Sequence, residues 1–206
     1  MAMTYDVTII SVRPGTHPDA LARSRPQLLR EAAGGEFLAC WYSDLGAINQ
    51  ILLLHGGGDE AGAIARRIAI VTSKDPFGVG EFMTGVTMDT YVSFPFMPRI
   101  APGRCGPVYE VRSYVLRPDG LATTIELWRK AVPGRLTVSP LLAAMYSVTG
   151  PLLRFMHIWP YASLDERQRL RTKAVADGVW PPPGGPDQLV AQQADIFLPA
   201  DFSPLN

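Results

Sequence analysis

The sequence predicts an α+β protein built from two βαββαβ domains packed sheet to sheet, and three observations carry that prediction. The chain repeats itself: YDVTIISVRP at 5–14 returns as YEVRSYVLRP at 109–118, an offset of 104 residues from Tyr5 to Tyr109. The same offset carries FLACWYSDLG at 37–46 onto LLAAMYSVTG at 141–150 without a gap, so separated strands and the helix between them keep one register. Finally, 206 residues that are 47% hydrophobic suffice for two modest cores. Two copies of this length favour a pair of small domains over an open solenoid. Neither copy can hide its second sheet face alone, so the two should meet about a pseudo-twofold axis.

Alternating apolar residues over 5–12 and 109–116 mark the first strand of each copy, ended by Arg13-Pro14 and Arg117-Pro118. A helix follows. In the second copy Leu121, Ile125, Leu127, Trp128 and Val132 form an amphipathic stripe that stops near Pro133 and Gly134. In the first, 20–33 does so less cleanly because of Pro26. Residues 37–43 and 141–148 read as second strands, and 49–55 and 153–159 as third strands across a Gly-containing turn, giving a hairpin in each copy. Ser163 with Glu166 is a capping-box pattern opening a helix that ends around Asp177 and Gly178, and Asp59 can cap its counterpart, which runs to about Ser73. Fourth strands at 89–94 and 195–198 complete the ferredoxin-like order, written twice. The expected division is a domain over 4–94, a stiff Pro/Gly linker over 95–107 and a domain over 108–202. A second Pro/Gly stretch, 180–186, reads as a surface loop or as a lid over a pocket.

Composition excludes several classes. Lysine plus arginine equals aspartate plus glutamate at 19 each, without a basic block, so no nucleic-acid footprint is expected. No apolar run approaches the roughly eighteen residues of a membrane span. The amino terminus runs straight into a strand without a signal-peptide pattern. Cys40 and Cys105 make no framework and read as free thiols in a reducing, cytoplasmic compartment. His17, His55 and His157 lie on different elements without a second ligand at metal spacing, so no metal is expected. Gly56 to Gly58 before Asp59 lack the Lys-Ser/Thr of a phosphate loop and read as a turn. No cofactor is expected.

YEVRSYVLRP at 109–118, RLTVSP at 135–140 and above all HIWPY at 157–161 with Ser163 and Leu164 resemble the NIPSNAP family, whose domains belong to the dimeric α/β-barrel group. The resemblance covers nearly the whole second copy. The first copy has lost most of the signature: Thr8 stands for Arg112, Ile10 for Tyr114, Leu53 for His157 and His55 for Trp159. In that group two ferredoxin-like sheets close face to face around a lumen. The resemblance implies that both sheets here come from one chain, an intrachain α/β barrel that is a monomeric pseudo-dimer or pairs further through edge strands into a homodimer. Relatives in the wider group include cofactor-free monooxygenases, isomerases and haem-degrading enzymes, so the resemblance implies a fold rather than a reaction.

On one face of the first strands Tyr5, Val7 and Ile9, and Tyr109, Val111 and Val115, are apolar, as expected of the side that packs on helices. The other face carries Asp6, Thr8, Ile10 and Val12 in the first copy but Glu110, Arg112, Tyr114 and Leu116 in the second. If this face lines the lumen, Arg112 needs a carboxylate or an anionic ligand, and Glu110 is the internal partner. That pair can equally be structural, setting the register of the sheets. His157, between Phe155 and Trp159 on its face, can be a hydrogen-bonded core group or a neutral general base. Leu53 at the matching position shows that the fold itself does not require a polar group there. Tyr114 and Tyr146 could donate toward an oxyanion, although Tyr146 repeats as Tyr42 and so reads as structural. Phe155 and Trp159 offer a flat wall to an aromatic or otherwise apolar ligand. The expectation is a small, largely apolar organic molecule in the lumen of the second domain. Catalytic roles fall to His157, Arg112 and Tyr114, and ligand contacts to Glu110, Tyr146, Phe155 and Trp159. Its chemistry would be metal-free, of oxygenase, isomerase or cyclase type; the alternative is a non-catalytic ligand-binding or assembly module.

Overall fold

The computed structural model describes residues 3–30, 35–58 and 60–206. Its first half runs β1 (Thr4–Val12), α1 (His17–Arg30), β2 (Glu36–Leu45), β3 (Gln50–Gly56), α2 (Glu60–Thr72) and β4 (Met83–Ser93). The second repeats the order with β5 (Val108–Leu116), α3 (Gly120–Leu136), β6 (Ala143–Ser147), β7 (Arg154–Tyr161), α4 (Leu164–Ala176) and β8 (Leu189–Pro199). The shared register of the copies extends to their hairpin turns. Gly46 and Gly150 take left-handed φ of 94° and 67°, and three residues on Asn49 and Leu153 take 60° and 62°.

The strands described close into an antiparallel barrel in the order β1-β3-β2-β8-β5-β7-β6-β4, with β4 returning to β1. Each half contributes a four-stranded ferredoxin-like sheet, and the halves join edge to edge. Tyr42 pairs with Leu198 across β2 and β8, and Val92 with Tyr146 across β4 and β6. Exchanging the halves turns one junction into the other, the pseudo-twofold relation the repeat predicts. Closure consumes every sheet edge, so the edge strands expected to remain open for pairing are not there.

Closure also decides which face is which, and it reverses one expectation. Tyr5, Val7, Trp41, Tyr91, Tyr109, Val111, Met156 and Phe197 come from both halves into one buried cluster, so their face is the barrel interior. Trp41 stacks on Tyr109 with ring centres 4.1 Å apart, and Ile100 and Leu205 join the cluster from the connecting segment and the carboxyl terminus. The face of Glu110, Arg112 and Tyr114 therefore looks outward, toward α3 and α4. Most of the filling of a small barrel is apolar, as in this buried cluster. The inner face carries the Asp89–Arg154 ion pair and Asp195, and on the outer face long side chains from the helices reach back to neutralise the charge.

Other differences are local. The helix expected over 20–33 starts at His17, and residues 31–33 lie outside the described ones, as does the Asp59 cap. α3 passes through Pro133 to Leu136, since a proline this close to a helix end forfeits little hydrogen bonding. β4 and β8 start well before 89 and 195, because their early residues are largely exposed and carry no strong pattern. The capping box stands: Glu166 N donates to Ser163 Oγ at 3.0 Å, and Glu166 Oε2 accepts from Ala162 N at 2.6 Å. Among the described residues no helix is long and apolar enough to cross a membrane, and no three His, Cys, Asp or Glu side chains gather where they could hold a metal ion.

Candidate functional site

The polar residues singled out in the second half meet outside the barrel, between its sheet and α3 and α4. Antiparallel pairing sets Arg112 on β5 directly against His157 on β7, with Tyr114 against Phe155 one step along. These four line a cavity of about 210 Å³ with Thr124 and Trp128 from α3, Arg171 and Val175 from α4, and Gln192 from β8. Its remaining wall is the 180–186 stretch, through Trp180, Pro181, Pro182, Gly185 and Pro186. The expected lumen location is thus corrected. The lumen side carries Val111, Met156 and Phe197 and opens on its own cleft of about 480 Å³, which Arg112, Tyr114 and His157 do not line; the cavity they line lies under the helices.

His157 is 1% exposed. Its Nδ1 accepts a hydrogen bond from the Trp159 indole at 2.6 Å, while its Nε2 is buried without a protein partner. Burial, then the guanidinium groups of Arg112 and Arg171, hold its pKa well below the ordinary histidine value. The ring is therefore neutral, and with the Nδ1 lone pair taken the proton sits on Nε2. In this arrangement Nε2 of His157 is a hydrogen-bond donor. Tyr114 meets it edge-on at 4.8 Å and lies under Arg112, whose guanidinium carbon is 5.3 Å from the phenol ring. Burial raises the Tyr114 pKa, outweighing the opposite pull of Arg112, so this phenol too is a donor.

Behind this wall lies a charge cluster. Glu110, fully buried, receives Arg167 and, at 3.5 Å, Arg171 from α4, with Arg112 at 3.8 Å. The pair expected within β5 exists, but a helix supplies the closer partner. Trp159 does not line the cavity; it positions His157 and carries the Arg135 guanidinium 4.6 Å above its ring. Tyr146 is set apart, packed near Phe94 in the same apolar cluster. Sequence reasoning missed Trp128, Arg171, Arg167 and Arg135. Arg171 left a trace there: the 104-residue offset relates it to Arg67, as it relates Glu110 to Asp6, and Arg67 binds Asp6 at 3.2 Å.

The NIPSNAP family model matches residues 109–204. This second half belongs to the NIPSNAP family. Curated NipSnap relatives agree. The Dictyostelium discoideum NipSnap homolog is 26% identical over 160 residues, covering 75% of this chain and 70% of its own length. NipSnap of Drosophila melanogaster is 26% identical over 187 residues, 82% of this chain and 64% of its own. The NIPSNAP match falls on the half that holds the cavity, and each of these relatives extends beyond the length this chain spans. Among solved structures, an anthrone oxidase-like protein superposes with a TM-score of 0.67 over 97% of this chain and 91% of its own at 9% identity, a likeness of fold alone.

Proposed function

We propose that this chain binds a small, largely apolar organic molecule in the cavity beneath the 180–186 loop and polarises an oxygen on it. The observation that carries this reading is the buried, unpartnered Nε2–H of His157 on the cavity wall. A donor left without an acceptor costs roughly 1–3 kcal/mol, a cost that a ligand oxygen would remove. Arg112 and Tyr114 flank it, a set of donors suited to a carbonyl or to the oxyanion it becomes. Phe155, Trp128 and Trp180 supply the apolar walls. Metal-free oxygenase, isomerase or cyclase chemistry would begin from such polarisation. A purely ligand-binding role draws on a separate observation: His157 and Tyr114 are both held protonated, and no carboxylate lines the cavity among the described residues.

The test uses 2-acetylnaphthalene, a neutral ketone, with tryptophan fluorescence and calorimetry as readouts. Saturable binding at one site per chain, lost in His157→Leu with the fold retained, is expected. No saturable binding, together with no small molecule retained in native mass spectra, would overturn the reading.

A further inference from the structure

A second cleft of about 500 Å³ adjoins the cavity, sharing Arg171, Val175 and Trp180 with it and adding Arg135, Gln168 and Thr172. Its chemistry is unbalanced. Around it and beneath it stand four guanidinium groups, of Arg112, Arg135, Arg167 and Arg171, and among the described residues the carboxylate near them is Glu110. Glu110 is already saturated, with one oxygen on Arg167 and the other on Arg171. Arg135 makes no ion pair with it and feels only its field. Because α3 continues past Pro133, Arg135 is carried inward until it is 2% exposed, and its Nε and Nη1 have no acceptor. Its nearest attractions are uncharged, the ring face of Trp159 at 4.6 Å and the phenol of Tyr161. A cation–π contact gives about 0.5–2 kcal/mol, which does not repay the several kcal/mol of taking a cation out of water. Tyr161 and the field of the shared Glu110 offset part of that cost, and the unpartnered Nε and Nη1 leave room for an acceptor that enters the cleft.

We infer that this cleft holds the carboxylate of an organic acid whose apolar body lies in the adjoining cavity. Arg171 is the hinge of the argument, since it lines both spaces and can meet the carboxylate that Arg135 receives. Guanidinium groups match carboxylates bidentately, and Thr172 and Gln168 supply neutral donors beside them. The substrate class of the proposed function thereby narrows from apolar molecules to apolar acids, and this step rests on that reading of the cavity.

The experiment compares 2-naphthoate with 2-acetylnaphthalene, the same ring system with and without the charge. The naphthoate should bind roughly tenfold more tightly or better, the equivalent of one charge-assisted hydrogen bond. Its affinity should fall with added sodium chloride more steeply than that of the ketone. Arg135→Met and Arg171→Met should each erase the preference, and Arg135→Lys should restore part of it. Should Arg135→Met fail to fold, the salt dependence of the unaltered protein and the Arg171 variant still decide. Equal affinities for the two probes would overturn the inference while leaving the proposed function standing; binding of neither probe would remove both.

Discussion

The two halves carry the same lock and use it differently. In each, the first strand offers an acid and the helix before the last strand an arginine that reaches it: Asp6 with Arg67 at 3.2 Å, Glu110 with Arg171 at 3.5 Å. Around the first lock charges are matched, for Asp6 and Glu60 line the same cleft as Arg66 and Arg67. Around the second, one acid faces four arginines. Beneath α1 and α2 the face is filled by Ile10, Cys40, Ile51, Leu53 and Phe77 beside a cleft of about 420 Å³ at Asp6 and His55; beneath α3 and α4 Arg112, Tyr114 and His157 line a cavity of about 210 Å³. The repeated acid–arginine pair is what the scaffold requires to dock a helix on a charged strand. The residues without counterparts are those the scaffold can do without, and they gather at the cavity.

The largest expected effect tests the locks against each other. Glu110→Gln strands three guanidinium groups around a fully buried position and should cost about 3–5 kcal/mol in urea unfolding. Asp6→Asn leaves a site whose acid side chain is 14% exposed, where water can take over, and should cost about 1–2 kcal/mol. Equal losses would break the distinction between a balanced and an overcharged lock.

Acid separates the halves next. Burial, followed by Arg66, lowers the His55 pKa to about 4, and burial lowers that of His157 well below its ordinary value. Both imidazoles are neutral in either state above about pH 6.5, so they add no pH dependence there. Below it the unfolded chain binds protons that the folded protein refuses, and stability falls as pH falls. For His55 the fall ends near pH 4 and amounts to roughly 3 kcal/mol. His55→Gln should flatten the stability profile within that window, whereas His157→Leu should flatten it from the same upper limit. Profiles unaltered by either substitution would show that neither ring is buried as described.

His157→Leu at neutral pH has a smaller cost. It copies Leu53 and removes an orphaned donor, but it leaves the Trp159 indole N–H without its acceptor. A loss of about 1–2 kcal/mol is expected, with ligand binding lost outright. A loss under about 0.5 kcal/mol with binding intact would make the ring a filler.

The element order, the hairpins, the capping box and the convergence of Arg112, Tyr114 and His157 were all legible in the sequence, because period, turn residues and a shared register are local signals. The inward and outward faces were not. Alternation says that two faces differ, and both faces of these strands are largely buried, so only closure by β2–β8 and β4–β6 pairing decides which one is the interior. Arg135 was illegible for another reason: its burial depends on α3 surviving Pro133, a tertiary outcome. Tyr146 was weighed as a ligand contact and lies elsewhere, as its repetition at Tyr42 already suggested.

The smallest expected effect returns to the repeat itself. Asn49 and Leu153 occupy the same turn position at φ near 60°. Asparagine enters that left-handed region readily, while a branched apolar side chain there is strained. Leu153 is 38% exposed, so little packing compensates. Leu153→Asn should therefore raise stability by about 0.5–1 kcal/mol, read as a higher urea midpoint with an unchanged slope, and Asn49→Leu should lower it by a similar amount. If Leu153→Asn destabilises instead, the exposed leucine is held by something other than its backbone, and the two hairpins are not the equivalent turns that the 104-residue repeat makes them.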